Sequence, residues 1–113
     1  MNQELNLEQR WHFLNLMLQE RFNKKPDMEA ILYLIGINEY RGRMPKYKFS
    51  KEEKQDLMHI AVCTVLSLGG YYKFSFYDQD GWPHFEEVNK VPLNTMKEQE
   101  ELLKAYILEY FDM

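Results

Sequence analysis

One cysteine, five glycines and four prolines among 113 residues set the first limits on this chain. A lone Cys63 forms no internal disulfide, so the fold must rest on its apolar core, and a reducing, cytoplasmic setting is expected. Long hydrophobic runs are missing as well. The longest near-apolar stretch, 57–68, is interrupted by His59, Thr64 and Ser67 and falls short of the roughly 20 residues that cross a bilayer. Glu4, Glu8, Arg10 and Glu20 occupy the first twenty residues with no apolar segment between them. No secretory signal and no membrane association are expected from such a start. The sequence also lacks a phosphate-binding loop, a dinucleotide fingerprint and a Gly-x-Ser-x-Gly elbow, which removes the commonest signatures of nucleotide binding and serine hydrolysis.

What remains is a folded chain of ordinary make-up, 45% apolar with charges of both signs, and a length suited to one domain over residues 1–113. Leu7, Trp11, Leu14, Leu18 and Phe22 recur at spacings of three and four and predict a helix over 4–23 with those side chains on one face. Pro26 stops it and Asp27 caps a second helix, 28–40, carrying Ile31, Leu34, Ile35 and Asn38 on one side. Ser50 and Glu53 form a capping box for a third helix over 51–68, whose apolar second half suits the centre of the core. Gly69-Gly70 closes it. A second box, Thr95 to Glu98, opens a last helix over 96–111.

Between the last two helices lies the most distinctive segment, residues 71–87, with seven aromatic side chains around Asp78-Gln79-Asp80-Gly81. Strand-forming residues on both sides of an Asp-Gly turn predict a β-hairpin. Simple alternation puts Tyr72, Phe74 and Phe76 on the face that packs against the helices, and Tyr71, Lys73, Ser75 and Tyr77 on the other. Pro83 makes the returning strand an edge or a bulge. The expected fold is therefore α+β and mainly helical, about four helices with one hairpin inserted between the third and fourth.

Each chemical motif in this frame has a simpler reading. Asp78, Asp80 and Glu87 match three positions of a calcium loop, but Phe76 stands where the first ligand belongs, so turn chemistry explains them better. His59 and Cys63 share a helix face four residues apart, yet two ligands do not make a zinc site. Cys63 lies in an apolar run that should raise its thiol pKa and blunt it as a nucleophile. His84 with Asp78, Asp80, Glu86 or Glu87 offers an acid/base pair on an exposed hairpin, where nothing obvious excludes water. No cofactor is expected.

Two binding readings are left. Both hairpin faces carry aromatics, the residues enriched at interface hot spots. They point to a non-enzymatic protein-interaction domain, adaptor or regulatory, that pairs with itself or another protein through Tyr71, Tyr77, Trp82, His84 and Phe85. The alternative is a winged-helix-like nucleic-acid-binding protein using the basic loop 41–54, with Arg41, Arg43, Lys46 and Lys48 as its contact residues. Against it stand an apolar third helix, Asp78 and Asp80 at the wing tip, and a net charge of −4. The basic loop and the acidic stretch 78–113 together also suit self-association.

The segments EEKQDLMHIAVC (52–63) and DQDGWPHF (78–85) resemble a small uncharacterised bacterial family, mainly over the second half of the chain. The resemblance implies a bacterial cytoplasmic origin and a recurring hairpin. It implies no activity and no site residue.

Overall fold

Four side-chain oxygens start the helices of this protein, seen in a computed structural model that describes residues 5–45, 48–92 and 95–113. Asn6 and Gln9 exchange side-chain and backbone hydrogen bonds at the head of α1, Leu7–Phe22. Asp27 accepts from the Ala30 amide to open α2, Met28–Glu39. The Ser50–Glu53 box heads α3, Lys51–Ser67, and Thr95 accepts from the Glu98 amide to begin α4, Met96–Tyr110. Each cap satisfies amides that the helix itself leaves without partners. Gly70, at φ +80°, ends α3 in a Schellman motif: Tyr71 N–H donates to the Leu66 carbonyl and Gly70 N–H to that of Ser67. That reversal feeds directly into β1, Tyr72–Tyr77, which pairs antiparallel with β2, Pro83–Glu87. The architecture is the expected one, mainly helical with a two-stranded hairpin between α3 and α4.

The core is built from all four helices: Leu14 and Leu18, Ile31 and Ile35, Ala61 and Val65, Ile107 and Leu108. α3 is the hub, since it touches α2, α4 and both strands. It crosses α2 so closely at Gly36 that a methyl group there would be driven into the Leu57 carbonyl. α1 lies to one side, packed chiefly on α4. Its predicted inward face holds for Leu14 and Leu18 but fails at Phe22, which is exposed, as are Phe13, Leu16 and Met17 on the outer face. The radius of gyration, 15.0 Å, exceeds the about 13 Å of a compact chain this long, as a laterally placed helix requires.

The hairpin departs from simple alternation. Phe74 pairs with Phe85 and Phe76 with the adjacent His84, which leaves Ser75 as a bulge without a partner in the ladder. His84 and Phe85 point to opposite sides of their strand, so Phe74 and Phe76 do as well. Ring contacts agree: Phe74 meets Phe85 and Tyr77, whereas Phe76 stacks flat on His84 at 4.6 Å. The expectation that Tyr72, Phe74 and Phe76 share a helix-covered face is thus corrected by one inserted residue.

Candidate functional site

The hairpin tip is organised by one carboxylate. Gly81, at φ +88°, completes a three-residue loop in which Gly81 N–H donates to the Asp78 carbonyl and Asp78 N–H to that of Trp82. Asp78 Oδ1 accepts from the Asp80 amide at 2.9 Å and the Trp82 amide at 3.0 Å, while Oδ2 receives His84 Nε2 at 2.9 Å. These donors, His84 first and the Trp82 amide next, hold the Asp78 carboxyl below its ordinary range. A carboxylate only accepts, so Nε2 of His84 carries a hydrogen in this contact.

A depressed acid has a definite pH signature. Asp78 contributes its full share of stability above the unfolded carboxylate pKa and loses it as pH falls through the lower folded value. Urea unfolding from neutral to strongly acid pH is therefore expected to show an acid limb that is shallower in Asp78→Asn. An unchanged limb would mean that the ring of donors does not hold the ionised form.

The tip is docked onto the loop after α2. Arg41 N–H donates to the Gly81 carbonyl at 2.9 Å, and Arg41 Nε to the Tyr77 hydroxyl at 3.3 Å, with the guanidinium 5.6 Å from the centre of that ring. Tyr77 in turn donates to the Glu39 carbonyl. Tyr40 lies 4.7 Å from Trp82 and 5.6 Å from Phe49, and burial raises its pKa. Glu39 also ties in the last helix: Tyr110 donates to its carboxylate at 2.6 Å and accepts from Asn38 Nδ2, and burial above all pushes the Tyr110 phenol up to about 12. A basic residue of the loop, Arg41, thus sits beside the acidic turn of the same molecule.

Five residues expected to form one surface fall into three settings. Tyr71 packs edge-on against Tyr106 at the far end of the hairpin, joined to the core. Tyr77 and Trp82 belong to the docked tip. His84 is exposed and Phe85 half-buried, on opposite faces. Of the basic group, Arg41 is engaged as described, Arg43 and Lys48 are exposed, and Lys46 lies outside the described residues.

Beneath the tip, α3 and the hairpin enclose an open cleft of about 380 Å³. One wall is α3, whose Asp56, His59 and Cys63 share a face by their spacing. The other is Tyr72, Trp82, His84 and Phe85, with Asp78 at the rim. Cys63 Sγ lies 3.7 Å from His59 Nε2, and burial pushes its thiol pKa up, which keeps it protonated and weakly nucleophilic. Among the described residues, no three His, Cys, Asp or Glu side chains are grouped to hold a metal ion. Segments 52–63 and 78–85 face each other across this cleft.

No family model, curated protein or solved structure matches the chain. The roles of its residues must therefore be argued from geometry. Asp56 carries no assigned role in the sequence, and Tyr72, Phe74 and Phe76 are expected there on the helix-packed face, so none of the four is counted towards a site. His84 and Asp78 were visible as a pair, being six residues apart across a short turn.

Proposed function

We propose that this protein is a non-enzymatic interaction module whose hairpin binds another protein, with a second copy of the chain as the simplest partner. The carrying observation is that ordered aromatic rings stay uncovered on both faces of the hairpin: Phe74 and Tyr77 on one and Phe76 on the other remain 44%, 37% and 52% exposed although each ring packs against a neighbour. Rings already held in place lose little freedom on binding, so more of their burial is left as affinity. Phe85 adds to the Phe74 face and His84 to the Phe76 face. The uncovered stripe of Phe13, Leu16 and Met17 on α1 supplies a second apolar area for pairing.

A bacterial cytoplasmic setting forms part of this reading. The unpaired Cys63 supports a reducing compartment; no helix among the described residues is long and apolar enough to cross a membrane. The nucleic-acid alternative has less in its favour, since Arg41 is occupied by Tyr77 and the neighbouring turn carries Asp78 and Asp80.

Sedimentation equilibrium over a concentration series tests the proposal. The mass is expected to rise towards a dimer, and Phe74→Ser with Phe76→Ser should weaken association about tenfold or more while leaving helix content unchanged. A monomer at every concentration, or a double variant that pairs normally, would overturn the homodimeric reading. Salt-sensitive retention on heparin that disappears when Arg41, Arg43, Lys46 and Lys48 are neutralised would favour the alternative.

A further inference from the structure

We propose that the cleft between α3 and the hairpin binds a small protonated organic amine carried on an aromatic or apolar body. The inference does not rest on the interaction reading. Its first support is the sign of the lining. Asp56 and Asp78 contribute carboxylates, and among the described residues neither lysine nor arginine lines the cleft. An anionic ligand would meet like charge there, whereas a cation is attracted.

The second support is the walls. Tyr72, Trp82 and Phe85 border the same space, and the electron-rich faces of such rings attract ammonium groups while their area accepts an apolar body. Trp82 is held by Tyr40 and by its amide's bond to Asp78, so this wall is set before any ligand arrives.

The third support is the supply of acceptors. Asp56 makes no hydrogen bond or ion pair among the described residues, unlike Asp78, whose oxygens are committed to the turn. His84 Nε2 is bound to Asp78, so Nδ1 is an acceptor whenever the ring carries a single hydrogen. An ammonium group has three hydrogens to donate, and a carboxylate and an imidazole nitrogen answer two of them. A bare divalent metal ion suits the cleft less well, because no three ligating side chains are grouped there. The volume of about 380 Å³ lies within the range of ligand pockets.

The probe is 2-phenylethylammonium, compared with 2-phenylethanol and 3-phenylpropionate, which keep the ring but remove or reverse the charge. Titration is followed by amide and indole NMR shifts of the full chain up to about 10 mM. The amine is expected to saturate, moving the Trp82 indole and the amides of His59 and Cys63, and to bind at least about tenfold tighter than the alcohol. Asp56→Asn, a surface change on α3, should weaken the amine by about fivefold or more and leave the alcohol unaffected. Absence of saturable shifts, equal affinity for all three probes, or an Asp56→Asn variant that binds the amine as before would each overturn the proposal. A second variant, His84→Gln, is expected to weaken the amine as well, and a spectrum otherwise like the parent's would show that the fold survives.

Discussion

Gly36→Ala is expected to destabilise this protein by about 2 kcal/mol or more, although alanine is the better helix former by roughly 1 kcal/mol. The sign is reversed by what lies opposite. Gly36 is buried in the middle of α2, and an added methyl group would meet the backbone carbonyl, carbonyl carbon and Cβ of Leu57 on α3. A flexible side chain could swing away, but a helix backbone cannot. The two helices must separate, and separation loosens Ile35, Leu57 and Ala61, which have no exposed surface at all. A fall in Tm of roughly 10 °C follows for a domain of this size, and urea unfolding should show a lower midpoint with an unchanged slope. Stabilisation by alanine would mean that the crossing of α2 and α3 is wider than described.

How much of this was readable in advance depends on the range of the interaction. Caps and stops act within four residues, and Asp27, Ser50, Thr95 and Gly70 were recognisable by residue type alone. The order of elements followed from them. The face of the hairpin was not recognisable, because a bulge at Ser75 depends on how two strands pair, and alternation assumes that no residue is skipped. Gly36 reads in a sequence as a tolerated weakness of a helix, and its use emerges only when α3 is laid across it. The cleft was hidden for the same reason. Asp56, His59 and Cys63 are near one another in sequence, as are Asp78, Trp82 and His84, but the two groups meet only through packing. Tyr71 shows the reverse error, since an aromatic residue counted towards a binding surface is spent on the core contact with Tyr106.

Gly81→Ala is expected to release the hairpin tip from the loop after α2, at a cost of about 2–3 kcal/mol. Two effects combine. At φ +88° an L-alanine is strained by its own backbone, and its Cβ would collide with the backbone of Arg41 and Gly42. The collision breaks the bond from Arg41 N–H to the Gly81 carbonyl, so the Arg41 amide should lose protection from hydrogen exchange. Trp82 would then part from Tyr40, and its fluorescence should shift to the red as the indole meets water. Gly42→Ala tests the collision apart from the turn strain, because its methyl group would meet the Asp80 carbonyl and the Tyr40 ring without placing alanine in the turn. Both variants should free the Arg41 amide, and Gly81→Ala alone should also strain the bonds to Asp78. The consequence reaches both proposed activities. Trp82 is a wall of the cleft, and Tyr77 on the aromatic surface takes its orientation from Glu39 and Arg41. Undocking should therefore weaken amine binding and self-association together. A Gly42→Ala protein with normal Trp82 emission and a protected Arg41 amide would show that the loop does not hold the tip, and the shape of both surfaces would need another cause.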